Sequence, residues 1–182
     1  MRMLSLLLTL VLFACTPGDD LPDLAPLAGT EYRLAPGDAV RLIVFGEENM
    51  TGDFRINESG LIAVPLLGTV PAKGLSIREL EGAIASGLSR AGLLHNPSVT
   101  AEITAYRPIF VLGEVNKPGQ YTYLPGMTVV TAAAVAGGFT YRAVSDYAAV
   151  IRASDGEARE SKANRQAFVQ PGDVITFFER RF

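Results

Sequence analysis

The stretch Val99-Thr100-Ala101-Glu102-Ile103-Thr104-Ala105-Tyr106-Arg107-Pro108-Ile109-Phe110-Val111-Leu112-Gly113 decides the fold. In its first half Val99, Ala101, Ile103 and Ala105 alternate with Thr100, Glu102 and Thr104, the period-two pattern of a half-exposed strand. Pro108 has no amide hydrogen and disfavours a helical Arg107, so the strand closes there. A fresh apolar run, Ile109 to Val115, starts at once. A pattern that ends and restarts within a few residues divides the chain into one module over 31–106 and another over 107–182.

Upstream, Ser76-Ile77-Arg78-Glu79 is a capping box, in which the Ser76 hydroxyl accepts from an early amide and Glu79 reaches back to the Ser76 amide. Ile77, Leu80, Ile84, Leu88 and Ala91 follow at helical spacing, and Gly92 stops the helix. Ala39 to Phe45 reads as a strand with Val40, Leu42 and Val44 on one face. Its other face holds Arg41, Ile43 and Phe45, so cover is expected on both sides. Asn57-Glu58-Ser59-Gly60 has turn composition, predicting a hairpin of Phe54–Ile56 with Leu61–Val64, and Leu66–Val70 continues that sheet.

Downstream, a turn at Asn116-Lys117-Pro118-Gly119 leads to a strand over Gln120–Leu124. A Thr128-capped helix to about Ala136 ends at Gly137-Gly138. Strands are expected over Tyr147–Arg152 and Asp173–Phe178, with a turn at Asp155-Gly156 after the first. Short strands around one main helix per half give an α+β protein of two small β-rich modules. Two internal echoes support the division. Gly68-Thr69-Val70-Pro71-Ala72-Lys73-Gly74 resembles Gly113-Glu114-Val115-Asn116-Lys117-Pro118-Gly119, and Leu34-Ala35-Pro36-Gly37-Asp38-Ala39-Val40 resembles Val169-Gln170-Pro171-Gly172-Asp173-Val174-Ile175. Shared turn chemistry alone is the competing explanation.

The N-terminus has the layout of an export leader over Met1–Ala14: Arg2, then an apolar run from Leu4 to Phe13, then Ala14-Cys15. That run is about half the ~20 residues a permanent spanning helix needs. Cys15 is the only cysteine, which excludes an internal disulfide. Residues 15–30 are rich in Pro, Gly, Asp and Ala and read as a tether holding the folded part some tens of ångströms away. No later segment is apolar for long enough to cross a bilayer as a helix, since Val129–Phe139 is interrupted by Thr131 and Gly137-Gly138.

With 48% hydrophobic and 19% charged residues, the composition is that of a globular chain. A net charge of -3 without a basic cluster argues against a nucleic-acid partner. The single histidine, His95, sits beside Asn96-Pro97 in a loop, a poor basis for a metal site or a catalytic triad. Nucleophile-elbow, phosphate-loop and dinucleotide motifs are missing. Paired carboxylates such as Glu47-Glu48, or Asp38 with Asp173, suffice in principle for glycoside hydrolysis, but their turn and strand-end positions favour capping roles. Tyr106, Tyr121, Tyr123, Tyr141 and Tyr147 suit either sugar stacking or cross-strand packing. No enzyme, metal or cofactor is expected.

Taken in order, Tyr32-Arg33-Leu34-Ala35-Pro36-Gly37-Asp38, the Gly60–Gly74 region, Gly113-Glu114-Val115 through Pro118-Gly119-Gln120-Tyr121, Ala136-Gly137-Gly138-Phe139-Thr140 and Pro171-Gly172-Asp173-Val174-Ile175 resemble the outer-membrane polysaccharide export family. The resemblance implies a polysaccharide export sequence domain at 31–106 and a soluble-ligand-binding β-grasp domain at 107–182. It implies structural turns at Pro36, Gly37, Asp38, Gly113, Pro118, Gly119, Gly137, Gly138, Pro171, Gly172 and Asp173. Leu12-Phe13-Ala14-Cys15 resembles a lipobox, making Cys15 the lipid attachment point; an ordinary secretory signal with an incidental cysteine is the alternative. Thr16, rather than an aspartate, implies the periplasmic face of the outer membrane. Members form homo-oligomeric rings around a path for capsular polysaccharide or exopolysaccharide, with an inner-membrane polysaccharide co-polymerase that is often a tyrosine kinase. Because the chain stops at Phe182 without the pore-lining helix of long members, a short type working with a separate outer-membrane β-barrel is expected. The competing readings are a monomeric periplasmic glycan- or small-ligand-binding module and a scaffold lipoprotein without transport.

Overall fold

The computed structural model describes residues 17–26, 31–154 and 156–180, so the expected leader and Cys15 lie outside the described residues. The first module pairs β1 (Ala39–Val44) antiparallel with β2 (Gly52–Arg55) on one side and β5 (Val99–Ala105) on the other. Between them in sequence, β3 (Leu61–Val64) and β4 (Gly68–Pro71) form a separate hairpin, followed by α1 (Ile77–Arg90). Both halves of the Ser76/Glu79 capping box are present. Leu80, Ile84 and Leu88 turn one stripe of α1 inward against Val40, Leu42, Val44, Ile62 and Val64. Each of these three helix side chains is wholly buried, worth about 2 kcal/mol apiece.

The second module is a five-stranded sheet in the order β7 (Gly119–Tyr121), β6 (Ile109–Gly113), β10 (Val174–Phe177), β8 (Tyr147–Ser154), β9 (Glu157–Asn164). The central β6–β10 pair is parallel and the other pairs are antiparallel. α2 (Val129–Val135) packs Val129, Ala132 and Ala133 onto Ile109, Val111, Val150, Ile175 and Phe177. Its cap is Thr128, whose hydroxyl accepts from the Thr131 amide. Alanines on the helix face let its backbone approach the sheet closely, so a helix this short still closes the core. The architecture is α+β in two β-rich modules, as the periodicities indicated.

Four local expectations need correction. β2 and β3 do not pair with each other: the 57–60 turn forms, with the Gly60 amide donating to the Asn57 carbonyl and the Leu61 amide to Asn57 Oδ1, but it carries the chain from one sheet to another. Turn composition specifies a reversal and leaves the partners to packing. Second, only one face of β1 is covered, since Ile43 and Phe45 are exposed, Phe45 at 83%. Third, β9 was not anticipated, because Glu157-Ala158-Arg159-Glu160-Ser161-Lys162 has no apolar alternation. It is an edge strand whose charges discourage pairing with foreign strands.

The fourth correction concerns the tether. Residues 17–26 lie along the second module as a strap. Asp23 bridges Lys162 in parallel, the Leu24 amide donates to the Lys162 carbonyl at 2.7 Å, and the Lys162 amide donates to the Pro22 carbonyl at 2.8 Å. Leu24 packs on the second core. Lys162 Nζ pairs with Asp19 at 2.7 Å and lies over the Tyr147 ring, and the Tyr147 hydroxyl donates to the Pro17 carbonyl at 2.8 Å. A polar segment next to an open strand edge satisfies that edge's backbone groups.

Gly113 ends β6 at φ +79, where an added methyl would collide with the Phe177 carbonyl oxygen of the adjacent strand. Gly113→Ala is expected to cost at least about 3 kcal/mol, combining backbone strain with the forced separation of β6 and β10. A urea titration should show the midpoint falling with little change in slope; an unchanged midpoint would refute the close approach.

Candidate functional site

The residues singled out by their motifs fall into two groups. Pro36, Gly37, Asp38, Pro171, Gly172 and Asp173 meet around Arg107, where the modules join. Gly113, Pro118, Gly119, Gly137 and Gly138 lie toward the opposite end of the sheet. The strand between Asp173 and that far end, β10, spans roughly 13 Å.

At the junction the two Pro-Gly-Asp segments close by the same bonds. The Asp38 amide donates to the Ala35 carbonyl at 3.1 Å while Asp38 Oδ2 accepts from the Ala35 amide at 2.9 Å. The Asp173 amide donates to the Gln170 carbonyl at 3.1 Å while Asp173 Oδ2 accepts from the Gln170 amide at 2.7 Å. Gly37 (φ +98) and Gly172 (φ +90) occupy the left-handed turn position that side chains avoid. Both aspartates are fully buried and immediately precede strands, β1 and β10.

A buried carboxylate needs hydrogen bonds and a nearby cation. Asp173 is held by Arg152, whose Nε and Nη2 donate to its two oxygens at 3.0 and 2.7 Å. Asp38 accepts from the Tyr32 hydroxyl at 2.7 Å and from the Arg107 amide at 3.0 Å. Arg107 Nε stands 3.6 Å from Asp38 Oδ1, at ion-pair rather than hydrogen-bond distance. The Arg107 side chain runs between the two turns: an added methyl at Gly37 would sit 3.2 Å from its Cγ, and one at Gly172 would sit 3.2 Å from its Nη1. The Gly172 amide also donates to the Pro108 carbonyl at 3.0 Å. One residue, placed where the strand pattern breaks, therefore touches the Pro-Gly-Asp turn of each module.

Three tyrosines extend the junction. Tyr32, Tyr106 and Tyr123 stack edge to face with centroids 5.1 and 5.3 Å apart, carrying aromatic contact from the first module to the second. Burial, followed by the hydrogen bond to Asp38, pushes the Tyr32 hydroxyl well above the usual tyrosine range. Burial also raises Tyr106 and Tyr123. All three are thus neutral hydrogen-bonding groups at ordinary pH.

At the far end, Asn116 Nδ2 donates to the Gly137 carbonyl at 2.8 Å, and the Asn116 amide donates to the Gly138 carbonyl at 3.0 Å. The 113–119 loop is thereby stitched to the end of α2. The Glu114 amide donates to the Phe177 carbonyl, and Phe139 stacks edge to face on Phe177.

The carboxylates of the junction are occupied by hydrogen bonds and ion pairs. Asp38 and Asp173 commit their oxygens to amides, a hydroxyl and guanidinium groups, while Glu48 is exposed in a 3-10 turn that the half-buried Glu47 precedes. Among the described residues no group of three or more His, Cys, Asp or Glu is placed to hold a metal. Sequence reading missed Tyr32, Arg107 and Arg152 as partners of the aspartates. An aspartate destined for burial announces a need for a cation, but nothing in its local sequence says which arginine supplies it.

Comparison with known proteins follows the same two-part division. Residues 27–104 match the family described as polysaccharide biosynthesis/export protein, and residues 108–161 match the SLBB domain. The export-family domain and the SLBB domain thus follow one another along the chain. Over 119 residues it is 33% identical to the exopolysaccharide production protein ExoF of Rhizobium meliloti, covering 59% of this chain and 28% of that relative. It is 28% identical over 145 residues to the EPS I polysaccharide export outer membrane protein EpsA of Ralstonia nicotianae, covering 64% of this chain and 37% of EpsA. It is also 28% identical over 93 residues to the polysialic acid transport protein KpsD of Escherichia coli, covering 50% of this chain and 16% of KpsD. The chain thus spans well under half the length of each of these relatives. The matched domains meet at residues 104–108, where Arg107 stands.

Removing one member of a buried pair leaves the other charged and unpartnered. Asp173→Ala should therefore destabilise the protein by about 3 kcal/mol, whereas Asp53→Asn, which breaks the exposed pair with Arg41, should leave the urea midpoint unchanged. Arg107→Ala is expected to split a single calorimetric unfolding peak into two by uncoupling the modules. One unshifted peak would show that Arg107 does not join them.

Proposed function

We propose that this protein is a lipid-anchored component of the conduit that exports capsular polysaccharide or exopolysaccharide. The observation that carries the reading is the serial match of the export and SLBB domains across the junction, supported by three relatives whose names specify exopolysaccharide production, polysaccharide export or polysialic acid transport. In this reading Cys15 is acylated after removal of Met1–Ala14, and the protein stays on the periplasmic face of the outer membrane. Copies assemble into a closed ring and act with an inner-membrane polysaccharide co-polymerase. The reading fits a chain in which, among the described residues, no helix is long and apolar enough to cross a membrane.

The role is guidance rather than chemistry. A hydrated polymer passes most easily along a wall that offers many weak hydrogen bonds and no deep site. Rigid coupling at Arg107 suits it, because a ring keeps its bore only if each subunit holds one shape. Closed symmetry then repeats that shape around the path.

Deleting the gene should abolish surface polymer, and the intact gene should restore it; unchanged polymer in the deletion strain would refute an export role. Cys15→Ala should yield a folded protein that leaves the membrane fraction and restores polymer poorly. If that variant stays membrane-bound through high-salt washing, Cys15 is not the anchor. Native mass spectrometry of the acylated protein in detergent should show a closed oligomer, and a monomer at every concentration would refute the ring.

A further inference from the structure

The strap fixes where any lipid on Cys15 must emerge. A single residue, Thr16, separates Cys15 from Pro17, so Cys15 lies within roughly 7 Å of Pro17 along the chain. Pro17 is bonded through its carbonyl to Tyr147, and Gly18 lies against the Phe178 ring. Tyr147 and Phe178 belong to the end of the second sheet that also carries Gly113 and Phe177, because β8 starts there and β6 and β10 finish there. The Arg107 junction is at the other end of the same strands.

That outer pole is capped by a short ribbon. The Val144 amide donates to the Phe178 carbonyl, Ala143 bridges Glu179, and the Arg180 amide donates to the Arg142 carbonyl. Arg142 also forms an ion pair with Glu179, and Arg180 Nε donates to the Ala143 carbonyl. Next to Arg142 in sequence, Tyr141 is 88% exposed, more than any other large apolar or aromatic side chain among the described residues. An aromatic ring with a polar tip, flanked by arginines with long apolar stems, matches the boundary between headgroups and acyl chains.

We propose that this pole, with Tyr141, Arg142, Phe178 and Arg180, rests on the lipid headgroup surface of the membrane that holds Cys15, and that the first module points away from it. The inference rests on the lipoprotein reading, and the strap adds the orientation. A free tether of residues 15–30 would let any face meet the bilayer; a docked strap leaves only the surface around Pro17 within reach. With Arg142 offset by Glu179 the pole's net charge is small, so contact depends on the acyl chain and persists on neutral lipid.

The chain contains no tryptophan, so a single introduced one reports its own surroundings. Full-length acylated protein would be reconstituted into phosphatidylcholine vesicles containing brominated lipid, as Tyr141→Trp and separately as Phe45→Trp. Phe45 is exposed at the end of β1 remote from Asp38 and the junction. The expected result is blue-shifted emission with strong bromine quenching at position 141 and water-like, unquenched emission at position 45. Unquenched emission at 141 from acylated, vesicle-bound protein overturns the orientation alone, as does quenching at 45 instead. A blue shift at 141 without quenching means that a protein surface covers the pole, which also overturns it. A mass lacking the acyl group refutes the lipoprotein reading and the orientation with it.

Discussion

The burial of Asp38 is the constraint around which the molecule is arranged. A carboxylate with no exposed surface holds its charge only if its surroundings replace the water it lost. Its partners come from both sides in sequence: Tyr32 and Ala35 lie just upstream, and Arg107 lies 69 residues on, at the boundary between the modules. The first module cannot complete this group without drawing its own C-terminus back to its first turn. Doing so delivers Pro108 and the start of β6 beside the second aspartate turn. The module boundary is therefore bonded to both aspartate turns, the reverse of a free linker.

Asp38 and Asp173 solve one problem with different cations. Each closes a turn on the residue three positions earlier, then starts a strand in the middle of a sheet. Arg152 binds Asp173 through two hydrogen bonds within the second module, whereas Arg107 approaches Asp38 at 3.6 Å and lies across the boundary. The tighter pair belongs to one core. The looser one joins two, and its arginine runs its stem and guanidinium along two glycines, where an added methyl would sit 3.2 Å away.

What could be read in advance depended on how local each signal is. The capping box at Ser76, the helical stripe of Leu80, Ile84 and Leu88, and the break at Arg107-Pro108 are written within a few residues, and the structure follows them. Pairing partners are not local: the turn at 57–60 was legible, but the choice of β4 rather than β2 as partner of β3 depends on how Ile62 and Val64 reach α1. β9 was hidden because edge strands are selected to be charged. The strap was hidden because two backbone bonds, a tyrosine hydroxyl bond, one leucine and one ion pair leave no periodicity. At the junction the glycines and aspartates were visible as turn formers, while the convergence of two turns on one arginine exists only in three dimensions.

The strap also sets an order of events. Its partners Tyr147 and Lys162 lie more than 120 residues after it, so a chain delivered N-terminus first presents residues 17–26 long before β8 and β9 exist to receive them. For that interval residues 17–26 have none of the partners that hold them in the folded protein. Once the last sheet closes, the same residues become part of a folded surface. The strap, first of the described segments in sequence, can thus take its place only after β8 and β9 have formed.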